Sequence, residues 1–266
     1  MTDERPTVAV WKFASCDGCQ LTLLDCEDEF LAIAGAVRFA HFPEVSRASI
    51  GGPYDLSIVE GSITTEEDAR RIREVRASSR RLITVGACAT AGGIQALRNS
   101  AADGAYAEAV YAHPEYLSSL GTSTPIAAHV AVDLELQGCP ISAAQLLEVI
   151  TGELAGRRPV LPTHSVCQEC KAAGTVCLPV TRGTACLGPV TRAGCGGLCP
   201  SLDRGCFGCF GPSVGANPRA LTEHLLEEGT TRAEAARLFA TFNVGNPVFG
   251  DLAAELSAPE WQGGQP

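Results

Sequence analysis

The thirteen cysteines of this chain are placed in a way that few folds can accommodate unless the thiols bind something. Eight of them, Cys167, Cys170, Cys177, Cys186, Cys195, Cys199, Cys206 and Cys209, crowd into one stretch among glycines and prolines. Four more, Cys16, Cys19, Cys88 and Cys139, are scattered through the first half. Twelve thiolates divide into three sets of four, the ligand number of a 4Fe-4S cluster. Three 4Fe-4S clusters and a protein that carries electrons are therefore expected.

Disulfides are the weaker explanation if the chain works in a reducing compartment, where thiols are kept free for metal ligation. The N-terminus, Met1-Thr2-Asp3-Glu4-Arg5-Pro6, lacks a basic segment followed by an apolar run. No stretch reaches the roughly 18 consecutive apolar residues of a membrane span. A cytoplasmic protein with no membrane span is the expectation. A formal charge of -10 argues against a surface that tracks phosphates, so no nucleic-acid partner is expected. With 266 residues, 45% of them hydrophobic, the chain can build one large core or two smaller ones.

Short apolar runs at residues 7–13, 37–42, 56–60, 82–87 and 126–134 read as buried strands, and residues 66–78 and 142–154 as helices between and after them. A further helix is expected after Cys19, through Phe30. Strands alternating with helices imply an α/β fold with a parallel sheet. Cys16 and Cys19 follow the first strand, Cys88 the fourth and Cys139 the fifth. In an open parallel sheet the ligand crevice lies outside the carboxyl ends of the strands, so these four thiols are expected to form one site. Pro140 suits a first helical position, and the amides of residues 138–142 could face an anionic cluster. The bland alternative is that Cys88 and Cys139 are small buried hydrophobes.

Beyond Leu154 the pattern changes. Gly156-Arg157-Arg158-Pro159 reads as a linker, giving a first domain over residues 1–156 and a second over 157–266. The cysteine-rich stretch shows little periodicity, so metal binding is expected to supply part of its folding free energy. Two zinc sites would also use eight thiolates in CxxC pairs, and a zinc-stapled interaction module is the reading of a different class. Iron-sulfur is favoured because Gly and Pro between ligands leave room for a cubane and because a further four-thiolate site stands at the sheet. One division assigns Cys167, Cys170, Cys186 and Cys195 to one cluster and Cys177, Cys199, Cys206 and Cys209 to the other; a different partition is equally open to spacing alone. His164 is a conceivable ligand. Cys26 reads as a core residue of the first helix. Residues 218–227 and 232–240 read as helices, and the chain from Gly245 as a Gly- and Pro-rich strap or tail.

The run Trp11-Lys12-Phe13-Ala14-Ser15-Cys16-Asp17-Gly18-Cys19-Gln20-Leu21, with Gly86-Ala87-Cys88-Ala89 and Gly138-Cys139-Pro140, closely resembles the small subunit of nickel-iron hydrogenases. Residues 186–200, from Cys186-Leu187-Gly188-Pro189 to Cys199-Pro200, and Gly205-Cys206-Phe207-Gly208-Cys209 are similar to its cytoplasmic, cofactor-coupled branch, which includes sulfhydrogenase delta subunits. The resemblance implies a flavodoxin-like N-terminal domain followed by a loop-rich iron-sulfur domain. It implies that Cys16, Cys19, Cys88 and Cys139 hold the proximal 4Fe-4S cluster, facing a nickel-iron centre on a separate large subunit, and that the eight later cysteines hold the medial and distal clusters. The iron-sulfur subunit of complex I shares the N-terminal fold but begins its ligand set with two adjacent cysteines, whereas Asp17 and Gly18 separate Cys16 from Cys19.

On this resemblance the chain is expected to relay electrons between the nickel-iron site and a diaphorase subunit carrying flavin and using NAD(P), with a further iron-sulfur subunit among its partners. Bond breaking would occur on the large subunit, so no catalytic residue is expected here. A deazaflavin coenzyme or a heterodisulfide reductase are alternative acceptors. A flavodoxin proper would need a hydroxyl-rich loop after the first strand, and residues 15–19 offer only Ser15.

Overall fold

A computed structural model describes residues 5–258. The chain divides into two compact units, Met1–Leu161 and Pro162–Pro266. The first is built on five parallel strands: β1 (Thr7–Lys12), β2 (Arg38–His41), β3 (Tyr54–Glu60), β4 (Ser79–Val85) and β5 (Leu134–Leu136). Their order is β2-β1-β3-β4-β5, the doubly wound flavodoxin-like arrangement. The strands are short apolar runs because both faces of a parallel sheet are covered.

On one face Val8, Val10, Leu56, Ile58, Ile83 and Val85 pack against helices α1 (Gly18–Leu24), α2 (Asp28–Ala36) and α6 (Ala143–Leu154), through Leu23, Ile33, Leu146, Val149 and Ile150. On the other, Val59 and Leu82 meet Ala69, Ile72 and Val75 of α3 (Glu66–Ala77). Each fully buried Leu, Ile or Val contributes about 1.5–3 kcal/mol. Thr65 caps α3 by accepting the Asp68 amide at 3.0 Å, and its first turn is acidic, complementing the helix dipole. A short α4 (Gly86–Ala91) leaves β4 directly, followed by a 3-10 turn (Ile94–Ser100) and α5 (Ala105–Val110).

Three local expectations are corrected. The helix expected through Phe30 is two helices, broken at Glu27, whose φ of 45° is non-helical. Cys26 lies in that break, buried, with its thiol donating to the Thr22 carbonyl at 3.2 Å. The strand expected over residues 126–134 is a 3-10 turn at Ile126–Ala128 followed by β5. Ile126 is an anchor in the core beneath α3, and Asp133 accepts the Leu82 amide at 2.7 Å, fixing where pairing with β4 begins. Pro140 precedes α6, which starts at Ala143 behind Ser142.

In the second unit α7 (Val166–Ala172), α8 (Leu178–Arg182) and α9 (Leu198–Ser201) are single turns or little more among loops. Its hydrophobic core comes from α10 (Pro218–Glu227), α11 (Arg232–Phe239) and α12 (Pro247–Ser257), where Phe239, Phe249, Leu252 and Leu256 enclose Leu187 and Val190 of the cysteine-rich stretch. Thr231 and Glu234 form a reciprocal capping box at α11. The segment from Gly245 is thus not a strap: Asn246 caps a helix that runs to Ser257. The remainder of that tail, residues 259–266, and Met1–Glu4 lie outside the described residues. Among the described residues no helix is long and apolar enough to cross a membrane.

Candidate electron-transfer site

The carboxyl ends of β1, β3, β4 and β5 meet at one edge of the first unit. Beyond β1, Asp17 takes a left-handed conformation (φ 68°) and turns the chain into α1, placing Cys16 before the turn and Cys19 inside the helix. Cys88 lies in α4 immediately after β4, and Cys139 follows β5. The thiols lie within electrostatic reach of one another, Cys139 and Cys88 acting on Cys19, and Cys88 and Cys16 on Cys139. Burial, reinforced by these like charges, pushes Cys139 up to about 11 and raises Cys19 and Cys88 as well. An iron core bound there would favour the thiolate form that ligation requires.

Space around the sulfurs is kept by glycine. A Cβ on Gly86, where φ is +86°, would overlap the Cys19 sulfur, and one on Gly93 would stand 2.6 Å from that of Cys88. Hydrogen bonds hold the ligands' surroundings. Ile141 donates its amide to the Cys19 sulfur. Glu60, at the end of β3 and only 2% exposed, accepts the Cys19 amide at 3.0 Å and the Gln20 side chain at 2.9 Å. Burial raises the Glu60 carboxyl above its usual range, opposed by those two donors. Gln95 accepts from the Cys88 thiol at 3.5 Å while donating to the Ala14 carbonyl at 2.6 Å.

In the second unit a cavity of about 340 Å³ is lined by Cys167, Cys170, Cys177 and Cys186, with Val176, Leu178 and Leu225 on its walls. Cys186 and Cys206 are buried with Val166, and Cys170 and Cys195 pack against them. The Cys186 sulfur accepts amides from Gly188 at 3.4 Å and Cys206 at 3.2 Å, and the Cys206 sulfur accepts that of Gly208 at 3.5 Å. Amides aimed at buried sulfur are the surroundings a thiolate cluster uses. Burial pushes Cys206 up to about 12. Cys199, after the Gly196-Gly197 turn, feels Cys195 and Cys186, while Cys209 is half-buried three residues beyond Cys206. The His164 Nδ1 faces the Ser165 carbonyl at 3.2 Å. Among the described residues no disulfide joins any of the thirteen cysteines. Among the described residues no three His, Cys, Asp or Glu side chains converge closely enough to hold a single ion. The donor set suits an iron-sulfur core: thiols from separate strand ends face one crevice, with glycine keeping space beside the sulfurs of Cys19 and Cys88.

Sequence reasoning did not single out Glu60, Gln20, Gln95 or Glu169. Each of them reaches its partners only through the tertiary fold.

Residues 16–152 match the family described as NADH ubiquinone oxidoreductase, 20 Kd subunit, a span that carries all four thiols of the sheet site. The chain is 32% identical to the sulfhydrogenase 2 subunit delta of Pyrococcus furiosus over 88% of its own length and 98% of that protein. The chain belongs to this family, as a small subunit of a nickel-iron hydrogenase. A second relative, from the F420-non-reducing hydrogenase vhu of Methanocaldococcus jannaschii, is 31% identical over 79% of this chain and 85% of its own. Among solved structures, the NAD+-reducing [NiFe]-hydrogenase in the H2-reduced state superposes with a TM-score of 0.55 at 29% identity, covering 59% of this chain and 96% of that one. The hydrogenase small subunit therefore has the α/β fold and the oxidoreductase membership its sequence led us to expect.

Proposed function

We propose that this small subunit relays electrons between the nickel-iron site of a large subunit and a flavoprotein that uses NAD(P), in the cytoplasm, by means of three 4Fe-4S clusters. The observation that carries it is the pairing of a four-thiol crevice at the sheet edge with a separate set of eight in the second unit. Cys16, Cys19, Cys88 and Cys139 would hold the proximal cluster. The shared cavity favours grouping Cys167, Cys170, Cys177 and Cys186 on one of the others, leaving Cys195, Cys199, Cys206 and Cys209 for the last. Relative to the division drawn from spacing, Cys177 and Cys195 change places. Once bound, the clusters supply one-electron redox chemistry. The protein's part is to desolvate the thiols, direct amides at sulfur and keep glycine beside it.

The acceptor is inferred from the relatives alone. The NAD+-reducing hydrogenase supports a nicotinamide nucleotide; a diaphorase with its own flavin and a further iron-sulfur subunit would connect it to this chain. A heterodisulfide-reductase-type acceptor is the second reading; the F420-non-reducing relative, matched over 79% of this chain, argues for an acceptor other than a deazaflavin. The purified complex, supplied with H2 and in turn NADP, NAD, a deazaflavin or a heterodisulfide, decides between them. Reduction of a nicotinamide nucleotide is expected, and reduction of the heterodisulfide alone would replace it with the second reading.

A further inference from the structure

We propose that Glu169 is a positioning residue that ties the two cysteine runs of the second unit together and lowers the reduction potential of the cluster containing Cys195. This rests on the reading that the eight later cysteines hold clusters. Glu169 sits inside Cys167-Gln168-Glu169-Cys170 on α7, yet its side chain reaches the other run. Oε1 accepts the Gly194 amide at 2.8 Å and Oε2 the Gly197 amide at 3.2 Å. The thiol of Cys195, between those two glycines, stands 3.9 Å from Oε2. The closeness is mutual, because a Cβ on Gly197 would lie 3.1 Å from the Cys170 sulfur.

The donors select a carboxylate. Two N–H groups point at two oxygens; glutamine could accept only one, and its NH2 would confront the other donor. Placing a fixed negative charge beside a cluster ligand disfavours adding an electron to that cluster. The same bonds occupy two amides that would otherwise be free to donate to sulfur, a contact that favours the reduced state. Both effects have one sign at the cluster containing Cys195, whereas only the charge reaches Cys170 of the neighbouring cluster, so the electron is biased toward the cluster that lacks Cys195.

An EPR-monitored redox titration of the intact complex tests this, with Glu169→Gln and Glu169→Asp beside the unaltered protein. In Glu169→Gln one of the three signals is expected to titrate at a higher potential, by about tenfold in its reduction constant or 59 mV for one electron. The cluster holding Cys170 should shift in the same direction but less, the proximal one should not move, and Glu169→Asp, which keeps the charge, should stay closer to the unaltered protein than Glu169→Gln does. A Glu169→Gln complex with full iron and three unmoved midpoints overturns the proposal. Should that variant lose iron, hydrogen-deuterium exchange of the unaltered complex decides: slow exchange at Gly194 and Gly197 supports the tie, and fast exchange overturns it. Failure of the underlying reading is separately visible, since an unaltered complex with about four irons per chain would have no later clusters to tune.

Discussion

Around each candidate ligand sulfur, the neighbouring residue matters as much as the cysteine. Gly86 is both in a left-handed conformation and within contact of Cys19, so Gly86→Ala should displace that sulfur or the turn after β4. Its expected result is the loss of about four irons per chain with the remaining clusters intact, measured as metal content of the purified complex. Full iron in that variant would mean the crevice does not enclose a cluster. The cysteines were legible from the sequence because a thiol advertises its chemistry and its spacing survives folding. Glu60 and Glu169 were not: an acid earns no attention until the fold aims amides at it, as Cys19 does for one and Gly194 and Gly197 for the other.

At the level of elements, the β/α alternation was readable because both faces of a parallel sheet demand apolar strands. β5 was misplaced because the apolar residues Ile126, Val130 and Val132 pack beneath α3 without pairing, a distinction that composition does not carry. α12 was hidden by its glycine and proline, although Pro247 occupies the first helical turn, where it is tolerated. That helix presents Phe249, 1% exposed, to Phe239 and Leu187. Phe249→Ala should cost about 3–5 kcal/mol of second-unit stability. Loss of iron from the later clusters, with the proximal EPR signal retained, is the expected readout; an unchanged denaturation midpoint would contradict it.

α6 supplies a pH test. Glu148 accepts from Arg157 and from the Val160 amide, and these bonds hold its carboxyl at about 2, against an ordinary 4.5. Because the folded-state value is depressed, its stabilising contribution is complete above the unfolded-state value and is lost as pH falls from about 4.5 toward 2. In the purified complex at pH 7, Glu148→Gln should lower the denaturation midpoint, and an unchanged midpoint would mean that the residues after α6 are not pinned to it.

For the molecule as a whole, the second unit combines a helical core with a loop-rich cysteine stretch, and exposed Val176, Val180 and Leu198 stand beside its thiols. Apolar surface near a redox site suits a subunit that works covered by partners. Expression without the large subunit should give an iron-poor, aggregating chain, whereas an air-stable, iron-replete monomer would argue against an obligate complex. The central claim is that twelve thiols grip iron-sulfur cores. Iron, acid-labile sulfide and zinc determined on the anaerobically purified complex, with iron on the partners subtracted, test it most directly. About twelve irons and twelve sulfides per copy of this chain are expected, and stoichiometric zinc, or no sulfide at all, would contradict it.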